Sequence, residues 1–143
     1  MSEHVLILNA GSSSLKFCVY ERPGTGTWRL EAKGQIEGIG TAPKFLARDG
    51  TGHPVAEQQL TSAVRDGAGA LDSLATWLRS RYGGARMLGV GHRVVHGGPR
   101  YAAPIIVTPQ VLRDLQELIP LAPLHQPHNL AAIEAVFKLL PDV

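Results

Sequence analysis

The sequence has few cysteines, few aromatic residues and no long apolar run, and each scarcity narrows the classes of protein it can represent. Cys18 is the only cysteine among 143 residues, so the chain cannot form an intramolecular disulfide, which fits a reducing cytoplasm. No apolar run approaches the roughly 18 residues of a membrane-spanning helix. Residues 1–4 lack the basic and apolar segments of a secretory signal. We therefore expect a cytoplasmic protein with no membrane partner.

The charge is also modest, and this argues against nucleic acid as a partner. The net charge is +2, and lysine and arginine are scattered along the chain without a basic stripe that alternates with aromatic residues. Hydrophobic residues make up 44% of the sequence, which is enough for a core. The length corresponds to one domain or to a piece of a larger protein.

The hydrophobic pattern predicts strands first and helices later, with one strand between helices. This order is typical of an α/β protein with a mixed β-sheet flanked by helices. Thr108 and Pro109 are the N-cap and first residue of one predicted helix. The predicted strands cover residues 5–8, 15–20, 28–39, 44–48, 53–59 and 87–95, and the predicted helices cover 71–82, 109–119 and a final segment from about 129.

A small polar turn joins the first two strands and contains the densest group of candidate ligands. Asn9 ends a buried strand, Gly11 follows, three serines occupy 12–14, and Lys16 lies in the next strand. Gly11 permits a positive φ or a close approach to a ligand, while hydroxyls, backbone N–H groups and an ammonium suit phosphate. An amide oxygen suits Mg²⁺, directly or through water. The alternative is an ordinary polar hairpin, because Gly, Ser and Asn are common in turns.

This turn does not match the P-loop, which requires a second glycine and a helix after its lysine. A strand follows Lys16 instead, so a phosphate site here would have a different design.

A second polar cluster follows the predicted strand over residues 87–95. Arg93 suits a carboxylate or phosphate, although a structural ion pair is an equally reasonable role. Val95 lies on the same face as Arg93 if the chain is extended, and could line a small apolar pocket. His92 and His96 would be about 13 Å apart in extended chain, which excludes a shared metal ion.

A third cluster lies in the proline-rich loop before the last helix. His125 precedes a helix N-terminus, where anions bind favourably, and could donate to a phosphoryl oxygen. The alternative is a capping or solvated loop histidine. His128 and His4 are expected at the surface.

Together the three clusters resemble the acetate kinases and their short-chain carboxylate kinase relatives. The matching strings are VLILNAGSSSLKF, GHRVVHGG and LAPLHQPHNLAAIEA, in that order. The resemblance covers essentially all of residues 1–143, but only the N-terminal part of the family's sequence. It implies a ribonuclease H-like domain of the actin-like ATPase superfamily. It also implies reversible transfer of the γ-phosphoryl group of ATP to acetate with Mg²⁺, which gives acetyl phosphate and ADP by direct in-line transfer.

The resemblance also implies a role for individual residues. Asn9 would help to place Mg²⁺, and the ATP phosphates would be contacted by Ser12, Ser14 and Lys16. Arg93 would hold the substrate carboxylate and the transferring group, and His125 would stabilise charge on the phosphoryl oxygens. Val95 and Leu124 would line the pocket for the acetate methyl group.

The chain departs from the family pattern at Gln126 and His128, neither of which is a main catalytic position. A larger departure is that the nucleotide-binding half of the family, with its further catalytic and metal-site residues, is not in this sequence. We therefore expect residues 1–143 alone to be inactive and the full-length enzyme to be a homodimer. Two alternatives remain, a propionate or butyrate kinase and a non-catalytic module that binds an anion or a partner.

Overall fold

A computed structural model describes residues 3–24, 26–60, 64–83, 86–94, 97–98, 101, 103–124 and 126–139. Six strands form one sheet with the order β5-β4-β3-β2-β1-β6. The strands are β1 (Glu3–Ala10), β2 (Ser14–Arg22), β3 (Arg29–Glu37), β4 (Lys44–Asp49), β5 (Pro54–Gln59) and β6 (Arg86–His92). The first five strands pair with their chain neighbours in antiparallel fashion, and β6 pairs with β1 in parallel. The predicted mixed sheet is confirmed.

Three α-helices lie in the described part of the chain, and the signals for their starts are local. They are α1 (Gly67–Tyr82), α2 (Pro109–Gln116) and α3 (Gln126–Leu139). Asp66 caps α1, because its side chain accepts a hydrogen bond from the backbone N–H of Gly69. Thr108 caps α2, because its side chain accepts one from the backbone N–H of Val111. These caps satisfy N–H groups that have no partner inside the helix.

The core lies between one face of the sheet and helices α1 and α3. Alternate residues of β1 and β2 point into it, and they include Leu6, Leu8 and Phe17, all 2% exposed or less. The rings of Phe17, Phe45 and Trp77 pack together with centroids 5.3–5.8 Å apart. The opposite face carries more exposed residues, because side chains alternate between the two faces of a strand.

Several expectations from the sequence are wrong in detail. Helix α1 begins at Gly67, four residues earlier than expected, and α2 ends at Gln116, three residues earlier than expected. Strand β6 ends at His92 rather than Val95, and α3 begins at Gln126, three residues earlier than expected. Phe137 is 37% exposed although the helical pattern predicted it on the buried face. His4 is buried, not at the surface, because even-numbered positions of β1 face the helices, and its ring packs 5.0 Å from that of Tyr82.

Within the described segments, no helix combines the length and the apolar character that a membrane crossing requires.

Candidate functional site

The β1–β2 hairpin brings Asn9 and Lys16 together at one end of the sheet. The two residues are directly opposite in the register, and both are exposed. Opposed residues share a face of the sheet, with Cβ atoms about 5 Å apart. An amide oxygen and an ammonium group therefore project side by side from the same surface.

The tip of the hairpin presents the serines. Ser12 is exposed in the turn, and Ser14 is half-buried at the first position of β2. The N–H of Gly11 donates to the carbonyl of Ser14 at 2.8 Å, and the N–H of Ile39 donates to the carbonyl of Ser13 at 3.1 Å. The turn is thus closed on itself and tied to the segment that follows β3.

The constraint at Gly11 is space rather than an unusual backbone angle. It is not among the glycines with positive φ. A Cβ atom at this position would lie 3.1 Å from the hydroxyl oxygen of Ser14, so a side chain would displace that hydroxyl.

Strand β6 places Arg93 on the other side of Asn9. His92 is the partner of Leu8 in the parallel register, and the N–H of Arg93 donates to the carbonyl of Leu8 at 3.2 Å. Arg93 therefore follows the strand at the level of Asn9, with an exposed side chain. Asn9 lies between Lys16 and Arg93, and two of the three predicted clusters meet at the carboxyl end of β1.

Helix α3 is anchored to this same end by residues that the sequence analysis did not assign to the site. The side-chain amide of Asn129, 4% exposed, donates to the carbonyl of Ala10 at 2.9 Å. The buried amide of Gln126 donates to the carbonyl of Leu115 in α2 at 3.3 Å. The available signal was spacing, because Asn129 lies four and seven residues before the apolar Ile133 and Val136 and so shares their helical face. Asn129 thus ties the start of α3 to the hairpin, and Gln126 ties it to α2.

Two predicted site residues, His125 and Val95, lie outside the described residues, and their roles stay predictions. Leu124 is described and is 76% exposed, so it does not belong to an enclosed pocket here. The methyl pocket stays a prediction.

His92 lies beside the site, in the wall of an apolar cavity of about 760 Å³ between β6, α2 and α3. Burial lowers the pKa of His92 to about 4, because desolvation disfavours the charged imidazolium. His92 is therefore neutral at pH 7, and Arg93 next to it supplies the positive charge.

A magnesium ion would find one suitable oxygen here. Among the described residues there is no group of three or more His, Cys, Asp or Glu side chains that could hold a metal ion. Mg²⁺ commonly keeps several waters and binds substrate phosphates with only one or two protein oxygens. The amide of Asn9, next to Lys16, fits that pattern as a single ligand.

Comparison with solved structures places this fold among the carboxylate kinases. A propionate kinase from Francisella tularensis superimposes with a TM-score of 0.84 at 27% identity, over 99% of this chain and 35% of that one. Acetate kinase from Porphyromonas gingivalis gives 0.83 at 33% identity, over 97% of this chain and 35% of that one. The fold is therefore that of the actin-like ATPase superfamily, as expected.

Sequence comparison defines the family. The model of the acetokinase family matches residues 4–143. The chain is 39% identical over 145 residues to acetate kinase of Nitrobacter hamburgensis and 42% identical over 140 residues to that of Rhizobium meliloti. These matches cover 99% and 97% of this chain but 36% and 35% of the relatives. The chain belongs to the acetokinase family and spans about a third of the length of these relatives.

Proposed function

We propose that residues 1–143 are the N-terminal domain of an acetate kinase, which converts ATP and acetate to ADP and acetyl phosphate. Family membership supports a kinase, and one observation supports the chemistry. Asn9 and Lys16 are opposite each other in the β1–β2 register, and Arg93 follows β6 at the level of Asn9, so all three lie near the carboxyl end of β1. This arrangement places two positive charges near one exposed strand end, as phosphate binding requires, beside an amide oxygen that suits Mg²⁺.

In-line phosphoryl transfer needs positioning and charge neutralisation more than covalent chemistry. The guanidinium of Arg93 can hold a carboxylate or a phosphoryl group in a bidentate manner and orient acetate for attack. Lys16, Ser12 and Ser14 would bind phosphate oxygens, and His125 would donate to an equatorial oxygen of the transferring group. Bound Mg²⁺, with Asn9 among its ligands, would neutralise phosphate charge.

The remaining parts of the active site would come from polypeptide that this sequence does not contain. The apolar side chains of Ile106, Leu121 and Leu124 are 86%, 62% and 76% exposed, which suits a surface covered by another domain or by a second subunit in a homodimer. We accordingly infer that the adenosine site lies outside residues 1–143 and that this chain alone is inactive.

Propionate is a second candidate acceptor, because the propionate kinase of Francisella tularensis has the same fold over 99% of the chain. The proposed determinants are Val95 and Leu124. One methylene group changes the discrimination between substrates by only about 1–3 kcal/mol, so some turnover of both acids is expected.

A chimeric enzyme tests the proposal. Residues 1–143 would replace the matching third of the Rhizobium meliloti acetate kinase, and hydroxamate formation from acetate or propionate would be measured with ATP and Mg²⁺. We expect activity in the chimera, none in residues 1–143 alone, and a loss of at least about 100-fold in the chimera with Arg93→Ala, because a preorganised charge at the transition state is removed.

Arg29→Ala is the matched control. Arg29 is an exposed arginine of β3 that lies 3.4 Å from Glu21, at the end of β2 that is far from the site. Its activity should match that of the parent chimera. A chimera that folds but does not turn over either acid would favour a non-catalytic module. Near-normal kinetics with Arg93→Ala would remove the role assigned to Arg93.

A further inference from the structure

The open face of the sheet brings together three basic residues that are far apart in the sequence. Lys33 of β3 and Arg48 of β4 are directly opposite each other in the register. On the β2 side of β3, Lys33 is opposite Cys18. Lys16 lies two residues before Cys18 in β2 and is therefore a diagonal neighbour of Lys33. All three cationic side chains are exposed.

This arrangement is unfavourable by itself, because like charges directly opposite each other destabilise a sheet. Among the described residues, Lys16 and Lys33 take part in none of the ion pairs, and Arg48 donates to the carbonyl of Gly52 at 3.1 Å. Lys44, on the same strand as Arg48, shows the contrasting case, since its ammonium lies 3.5 Å from Glu57.

Asp49, which follows Arg48 in β4, has a carboxylate that is already engaged. One of its oxygens accepts hydrogen bonds from the N–H and hydroxyl of Thr51 and from the N–H of His53. These bonds, above all the one from the Thr51 hydroxyl, lower the pKa of Asp49. Asp49 serves the β4–β5 turn.

The three basic residues also line one concave surface. An open cleft of about 820 Å³ is lined by them together with the amides of Asn9 and Gln35, the thiol-bearing Cys18, and Asp49, whose carboxylate is bonded within the β4–β5 turn. Amide N–H groups and cations are the donors that an oxyanion requires. Charge, donors and concavity therefore coincide on a face that no helix of the described chain covers.

We propose that this cleft binds an anion with two or more phosphate groups, held between Lys33 and Arg48 at one end and Lys16 at the other. The site extends beyond the proposed catalytic function, in which Lys33 and Arg48 have no role, and it shares only Lys16 and Asn9 with it. The phosphate groups could be those of free pyrophosphate or of the tail of a nucleoside triphosphate, which the same cations would recognise.

The single cysteine provides the readout. Cys18 is partly buried in the wall of the cleft, so a bound anion should slow its alkylation by uncharged iodoacetamide. Alkylation rates of residues 1–143 would be measured by mass spectrometry with increasing pyrophosphate, ATP or, as a nucleoside without phosphate, adenosine. The ratio of rates with and without ligand is compared within each variant, so changes in intrinsic thiol reactivity cancel.

We expect protection by pyrophosphate or ATP and none by adenosine. Lys33→Gln and Arg48→Gln should each weaken the apparent binding about tenfold, as expected for the loss of a charged donor. Lys44→Gln removes the same charge from the same strand and should leave binding unchanged. If pyrophosphate and ATP both protect Cys18, the site recognises the phosphate groups alone. If only ATP protects it, the site recognises a nucleotide.

Absence of protection at millimolar concentrations would overturn the inference. It would also be overturned if protection survived in Lys33→Gln and Arg48→Gln but disappeared in Lys16→Gln, because the anion would then occupy the hairpin alone. That second result would leave the proposed kinase function intact. An inactive chimera combined with protection that depends on Lys33 and Arg48 would refute the kinase proposal and keep this one.

Discussion

The hydrogen bond between Asn129 and Ala10 is expected to hold the hairpin against α3, and its removal should have a measurable cost. Asn129 is 4% exposed, and its amide donates at 2.9 Å to a carbonyl at the last position of β1. Asn129→Ala deletes the donor and leaves that carbonyl without this partner. A partly buried acceptor left in this way costs about 1–3 kcal/mol.

We therefore predict that Asn129→Ala lowers the free energy of unfolding by about 2 kcal/mol, which corresponds to a fall in Tm of roughly 7 °C for a domain of this size. Urea titration followed by circular dichroism measures the difference. The control is Glu134→Ala, an exposed position on the same helix where alanine adds helix propensity without removing a described contact.

A loss below about 0.5 kcal/mol for Asn129→Ala would show that the bond contributes little and that packing alone holds α3 in place. A functional consequence should accompany the loss of stability. In the chimera, Asn129→Ala should reduce turnover because Asn9 and Lys16 lose part of their support, whereas Glu134→Ala should not.

Two further predictions concern charge and packing. Because the pKa of His92 is about 4 in the folded chain and about 6.5 when unfolded, the unfolded state binds more protons between these values, and stability should fall by at most about 2 kcal/mol from pH 7 to pH 5. His92→Asn should remove this contribution to the fall in stability between pH 7 and pH 5, and urea midpoints at the two pH values measure it. The same fall in stability in the variant as in the parent would contradict the prediction. Gly34→Ala should destabilise the fold by about 1–3 kcal/mol, since its Cβ would lie 2.6 Å from the ring of Phe17 and closer to the Leu46 carbonyl. Gly67→Ala is its control, because a Cβ there meets nothing within 4 Å, and equal thermal stability of the two variants would refute the steric argument.

The local signals in the sequence predicted most of the fold. The apolar run before Asn9 and the polar turn after it predicted the β1–β2 hairpin, and Thr108 with Pro109 predicted the start of α2. Each of these depends on residues close together in the chain. The end of β6 was overestimated because Val94 and Val95 continue the strand pattern, whereas pairing with β1 stops at His92. Pairing partners are not visible in local propensity.

The candidate site was predictable in its parts but not in its arrangement. The polar residues at 9–16 and at 93 are chemically conspicuous, yet their proximity depends on the parallel pairing of β6 with β1. The sequence also shows lysine and arginine as scattered, and only the registers of β2, β3 and β4 bring Lys16, Lys33 and Arg48 onto one face. Asn129 escaped notice because its partner is 119 residues away.

The position of Lys16 links the two proposals and makes their separation an experimental question. Lys16 faces Asn9 across the hairpin and Gln35 across the next strand pair, so its side chain can serve an anion on either side. Arg93 lies beside β1 on the side away from β3, whereas Lys33 and Arg48 lie beyond β2. A phosphate chain bound near Lys16 can therefore extend towards Arg93 at the proposed acceptor site or towards Lys33 and Arg48 across the open face of the sheet. Charge-removing variants at Arg93 and at Lys33 therefore tell which direction a bound phosphate chain follows.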